Sequence, residues 1–85
     1  MKLNIYAVYD VVSESSGDLF ICKNDELAIR AFNRYIDDAA KKDNYFNPTD
    51  YRLLRLGIYD NEASENLYPS IIGCKTVNLD LAKEV

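Results

Sequence analysis

One segment of this chain repeats its apolar residues at helical spacing, and segments that alternate lie on both sides of it. Ala28, Ala31, Phe32, Tyr35, Ile36 and Ala39 form a stripe with Leu27 at its edge, while Glu26, Arg30, Asn33, Arg34, Asp37, Asp38 and Lys41 face away. Asn24 or Asp25 can accept bonds from the first free N–H groups of such a helix. Asp25 and Glu26 suit its positive end, and Lys41 and Lys42 its negative end. A single amphipathic helix can cover one face of one sheet, and this limits the rest of the architecture.

The flanking segments supply the sheet. Residues 3 to 12 place Leu3, Ile5, Ala7, Tyr9 and Val11 on one face and Asn4, Tyr6, Val8, Asp10 and Val12 on the other, which predicts a strand. Residues 13–18 (Ser-Glu-Ser-Ser-Gly-Asp) read as a turn, and Leu19–Cys22 as the returning strand of a hairpin. After the helix, Asp43–Thr49 is a loop in which Pro48 biases Asn47 away from helix. Residues 50 to 60 alternate again, 60–66 form an acidic turn, and one short strand is expected in the tail beyond Leu67-Tyr68-Pro69, with Gly73 marking a bend or close approach.

The expected fold is therefore α+β: residues 1–85 as one small two-layer domain, a mainly antiparallel sheet (ββαβ plus a C-terminal strand) covered on one face by a single helix. In the later alternating strand, Leu54, Leu56 and Ile58 are expected under the helix. Tyr51, Leu53, Arg55 and Tyr59 are expected on the open face, with Tyr6 joining them if its register agrees. A domain of 85 residues has a small core, and pairing with a second copy is one way to enlarge it, so a homodimer is expected.

Composition excludes several functions. Ten Lys and Arg against 14 Asp and Glu give a net charge of −4, which does not suit a basic coat for nucleic acid. There is no histidine, and Cys22 and Cys74 stand far apart without a CxxC pair, so no metal site or cofactor is expected. The two thiols read as small buried hydrophobes. Nucleophile candidates lack a general base, and three glycines form no phosphate loop, so an enzyme is not expected. Met1-Lys2 leads directly into alternating Leu3-Asn4-Ile5-Tyr6, so no leader is expected. No apolar run approaches the roughly 20 residues that span a bilayer, so no membrane partner is expected either.

Seven tyrosines and the outward arginine suggest one interaction chemistry. Rings beside a cation on an open sheet can stack bases of single-stranded nucleic acid at about 1–3 kcal/mol per base. Tyr6, Tyr51 and Tyr59 would stack; Arg55, with Arg30 and Arg34 on the helix, would meet phosphates. The same rings also suit the centre of a homodimer or an ordinary amphipathic strand. Acids interleave the helix cations, and Glu26→Arg30 has the favourable i,i+4 polarity of a solvated pair. Asp60, Glu62 and Glu65 form a candidate acidic patch for a basic protein partner.

Three segments carry a family resemblance: Met1–Asp10 (MKLNIYAVYD), Ala28–Phe32 (AIRAF) and Tyr51–Asp60 (YRLLRLGIYD). Together they resemble the small nonstructural protein of gokushovirus-type phages, small single-stranded DNA phages of the Microviridae. The resemblance implies a phage protein made in the host bacterial cytoplasm and absent from the virion. It implies a DNA-binding or replication accessory role in single-strand synthesis and packaging, alongside phage replication or capsid proteins. It supplies no catalytic residues.

Overall fold

A computed structural model of the chain describes residues 2–62 and 69–79. The elements are β1 (Lys2–Asp10), β2 (Ser15–Cys22), α1 (Asp25–Lys42), β3 (Tyr51–Asp60) and β4 (Ser70–Asn78), with a 3-10 turn over Pro48–Asp50 before β3. The strands form one antiparallel sheet in the order β2-β1-β3-β4, and α1 packs on one side of it. This is the α+β arrangement that the single amphipathic segment predicts. Residues 63–66 of the acidic turn, Leu67-Tyr68 and the side chain of Cys74 lie outside the described residues.

Local chemistry sets the boundaries. Asn24 is the helix cap, its side chain accepting from the Leu27 N–H at 2.9 Å, and Asp25 and Glu26 occupy the first turn. The first hairpin turns earlier than the Ser/Gly cluster suggests. The Asp10 carboxylate accepts from the N–H groups of Val12 and Ser13 at 2.9 and 3.3 Å, so residues 11–14 make the turn and Ser15–Asp18 already belong to β2. Glu14 supplies the left-handed residue at φ 56°, a conformation that costs a side chain with a Cβ about 1 kcal/mol.

The core consists of Tyr6, Ala28, Phe32, Leu53 and Leu79, with Val8, Phe20, Ile29, Ile36, Tyr51 and Val77 packed around it. On the helix, Ala28 and Phe32 are buried, and Ile29 and Ile36 flank them. Ala31 and Tyr35 were expected in the buried stripe but are exposed. They sit over the β2 edge, where the helix overhangs the sheet and lines a cleft of about 510 Å³.

The face assignment of β3 is corrected by the register. Residues paired across an antiparallel ladder share a face. Tyr6 pairs with Arg55 and Val8 with Leu53, so Tyr51, Leu53 and Arg55 lie on the helix side with Tyr6. Leu54 pairs with Ala7 on the side away from the helix. A register shift between Ile5 and Tyr6 leaves Leu56 as the extra residue of β3 and reverses the alternation beyond it. Ile58 thus pairs with Asn4 on the helix side, and Tyr59 pairs with Leu3 on the side away from it. The grouping of Tyr6 with Tyr51, Leu53 and Arg55 therefore holds, but it lies under the helix, and Tyr59 is separated from it.

Candidate functional site

Two features stand out once the faces are known: a polar cluster under the start of α1, and an apolar surface on the side away from it.

The polar cluster joins β1, β3 and α1. The Tyr6 hydroxyl donates to Asp25 Oδ1 at 2.8 Å, and Asn4 Nδ2 donates to the Tyr6 oxygen at 2.9 Å. Arg55 Nη1 donates to Asp25 Oδ2 at 2.5 Å in an ion pair about one third exposed at both side chains. Asp25 is thus both the first helical residue and the acceptor for two strand side chains. The Tyr6 ring is fully buried and stacks on Phe20, with centroids 5.5 Å apart. The Tyr6 phenol is pushed up to about 12, mainly by burial, with Asp25 adding to the rise and the Asn4 hydrogen bond opposing it.

This shift carries a pH dependence. The folded pKa exceeds the usual value of 10.0, so the folded chain holds its proton longer. The contribution is complete below pH 10 and is lost as pH rises from about 10 to 12, by up to about 1.4 kcal/mol per pH unit. Urea midpoints measured between pH 8 and 11.5 should fall across that window, and Tyr6→Phe should flatten part of the fall. A Tyr6→Phe profile superimposable on the wild type would refute the assignment.

The other residues expected to meet nucleic acid are dispersed. Tyr51 is half-buried on the helix side, stacked on Phe46 at 4.7 Å, and its phenol is raised by burial and by nearby Asp10. Arg30 pairs with Glu26 at 2.9 Å on the exposed helix surface, and Arg34 is exposed on the same helix. Tyr59 alone of the six occupies the face away from the helix, where it is half-buried. Cys22 is a half-buried free thiol, and burial pushes its pKa up.

The face of the sheet away from the helix is apolar. Its register positions include Leu3, Ile5, Ala7 and Tyr9 of β1, Leu19 and Ile21 of β2, Leu54, Gly57 and Tyr59 of β3, and Ile71 of β4; Ile5, Ala7 and Gly57 at its centre are buried, and the exposed positions lie on the edge strands. Leu19, Ile21 and Ile71 are 61%, 50% and 70% exposed, too much for three large aliphatic side chains to be read as core. Arg52 opposite Tyr9 is the one charge among the paired positions of this face, and its Nη1 donates to the carbonyls of Thr49 and Tyr51. This surface was missed because apolar residues on a strand were assigned to the covered side.

The cleft at the β2 edge is lined by Val8, Phe20, Phe32 and Tyr35, with Asp18 at its margin. It brings together no nucleophile and base. Among the described residues, no group of three or more Cys, Asp or Glu is placed to hold a metal ion, and no helix is long and apolar enough to cross a membrane.

The layout is that of a small α+β protein with one polar cluster under the helix and, on the other face of the sheet, apolar residues that are exposed on the edge strands. The chain belongs to the Phage ORF5 protein family, whose profile matches residues 3–73. No curated protein and no solved structure matches it.

Proposed function

We propose that this phage protein is a non-enzymatic accessory factor that contacts proteins rather than bases. It would act in the replication or packaging of a single-stranded DNA genome of the gokushovirus type, in the host cytoplasm and outside the virion. The carrying observation is the position of Tyr6, Tyr51 and Arg55: the two rings and the cation that a base-stacking platform needs lie under the helix, and Arg55 is paired with Asp25. Membership in a phage protein family and the resemblance of residues 1–10, 28–32 and 51–60 support the setting.

The net charge of −4 points toward a basic partner. Glu26, Asp37 and Asp38 are exposed on the helix, and Asp60 and Glu62 stand at the end of β3, with Glu65 of the same candidate patch outside the described residues. A basic surface on the phage's replication initiator or coat protein would fit this chemistry, with affinity that falls as salt rises.

The test uses the purified initiator and coat proteins in one arm and a labelled short single strand in the other. Expected is salt-sensitive binding to one of the proteins, weakened by Asp37→Lys/Asp38→Lys, and no anisotropy change with DNA even at low salt. Saturable DNA binding that Tyr59→Ala or Arg52→Ala abolishes would overturn the reading in favour of direct DNA contact.

A further inference from the structure

The β2 edge of the sheet is exposed along the strand and on either face of it. No described strand lies beyond β2 in the order β2-β1-β3-β4, and six of its eight residues are exposed. On the helix side, the space beside the strand is the cleft of about 510 Å³ between Asp18 and Phe20 of β2 and Ala31, Phe32 and Tyr35 of α1. On the other side, Leu19 and Ile21 are 61% and 50% exposed. An edge strand presents unpaired N–H and C=O groups, and natural sheets blunt such edges with charges, proline or bulges. The β4 edge is blunted: Arg55 pairs with Val77 but Gly57 with Gly73, so three β4 residues, Lys75 among them, stand against Leu56 alone. The irregularity in β2 is smaller, with Gly17 and Asp18 both opposite Val8. Beyond it, Leu19–Cys22 pairs regularly with Asn4–Ala7 and holds neither charge nor proline.

We infer that a second copy of this chain adds its own β2 to this edge, antiparallel, about a two-fold axis perpendicular to the sheet. Such an axis keeps both helices on one side and makes the same contact twice. It also restricts the register. Residues directly opposite share a face, so the axis passes through a residue and not between two. An axis at Asp18 sets that carboxylate against its copy, one at Leu19 sets Asp18 against Phe20, and one at Ile21 sets Leu19 against Lys23. An axis at Phe20 sets Leu19 opposite Ile21 twice, Phe20 opposite Phe20 and Asp18 opposite Cys22. Aliphatic then meets aliphatic on the side away from the helices. On the helix side, the stacked row of Tyr6 and Phe20 continues into the second copy's Phe20 and Tyr6.

Charge and shape agree with this occupant. Each copy carries −4, but Asp18 is the only charged residue of β2. In this register the two Asp18 lie four residues apart along the strands, about 13 Å, which exceeds the roughly 10 Å Debye length at 0.1 M salt. The second copy's Phe20 enters the cleft beneath Ala31 and Tyr35 and covers the Tyr35 ring, 49% exposed in the single chain. One strand pair and one cleft fall short of the roughly 800 Å² per partner of a standard interface, so main-chain hydrogen bonds carry much of the contact and a micromolar dimer is expected. Self-pairing at this edge does not depend on which phage protein binds the acidic surface.

Sedimentation equilibrium of the full chain from about 10 to about 500 µM, with reductant, should show the mass rise from 9.7 kDa toward twice that value. Leu19→Lys should weaken association about tenfold or more, since symmetry repeats the loss, and Asn33→Lys on the exposed helix surface should not. Crosslinking reads the register in chains carrying Cys22→Ser and Cys74→Ser. A mixture of Leu19→Cys and Ile21→Cys chains should form a disulfide dimer with oxidised glutathione, since opposite residues have Cα atoms about 5 Å apart. Neither variant alone should do so, because its two thiol positions lie about 8 Å apart, past the roughly 7 Å that a disulfide spans. Both positions are exposed, so circular dichroism should be unchanged. A wild type of 9.7 kDa throughout overturns the inference, including the case in which the edge takes a strand from another protein. A dimer that Leu19→Lys leaves unchanged, or one in which either cysteine variant alone crosslinks as well as the mixture, also overturns it. Binding of the initiator or coat protein is read in a separate titration, so failure of one reading leaves the other standing.

Discussion

Phe32→Ala is expected to lower the melting temperature by roughly 15–30 °C, while Tyr35→Ala, one turn along the same helix, lowers it by only a few degrees. Phe32 is 3% exposed and touches the centre of the only buried cluster seen among the described residues. Truncating a buried phenylalanine costs about 3–5 kcal/mol, because the transfer free energy is lost and the cavity collapses only in part. A domain of this size has on the order of 4–13 kcal/mol in total, and each kcal/mol is worth about 4–8 °C. Tyr35 is 49% exposed over the β2 edge, so its removal deletes partial contacts and opens no closed cavity. Thermal melts at one fixed concentration check this, since self-association would otherwise move the midpoint. Equal losses at the two positions would mean that the helix is rotated relative to the sheet from the orientation described.

That contrast also marks how far periodicity reaches. Apolar spacing of 3.6 residues finds the helix and its buried side to within about one residue, because any helix on a sheet must bury a stripe. It does not fix the centre of the stripe, which depends on where the helix axis crosses the strands; hence Ile29 is packed and Tyr35 is not. The period of two likewise finds β1 and β3 and groups Tyr6 with Tyr51, Leu53 and Arg55. It cannot say which group goes under the helix, since both faces of β3 carry large apolar residues. The more apolar face, Leu54, Leu56 and Ile58, is the one the sequence places inside. Two facts outside the period reversed this: Asp25 at the helix start gives Arg55 a partner, and the extra residue at Leu56 changes the phase of the strand.

The reversal is informative about the candidate site. A sheet whose strands carry apolar residues away from the helix leaves Leu19, Ile21 and Ile71 exposed and Leu54 half-buried, and no element among the described residues crosses them. The signal was present in the sequence as apolar residues on both sides of β1 and β3. Such two-sided strands are expected where both faces of a sheet are covered. Ile5 and Ala7, 7% and 0% exposed on the side away from the helix, fit that expectation at the centre of the sheet, while Leu19, Ile21 and Ile71 on the edge strands do not.

Asp25→Ala is expected to cost about 2–4 kcal/mol, more than any other single exposed or half-exposed charge among the described residues. Its loss has three parts of different origin. The buried Tyr6 hydroxyl would lose its acceptor, at about 1–3 kcal/mol. The Arg55 pair, a third exposed and partly screened, would lose about 0.5–1 kcal/mol. The helix would lose an acid from its first turn, at about 0.3–1 kcal/mol. The parts can be separated by a double-mutant cycle measured by urea unfolding. Tyr6→Phe alone should cost about 1 kcal/mol, since it removes the hydroxyl and leaves Asp25 bonded to Arg55. The double variant Tyr6→Phe/Asp25→Ala should then cost less than the sum by about 1–2 kcal/mol, because no phenol remains to be orphaned. Additive losses would show that Tyr6 and Asp25 do not act as one unit.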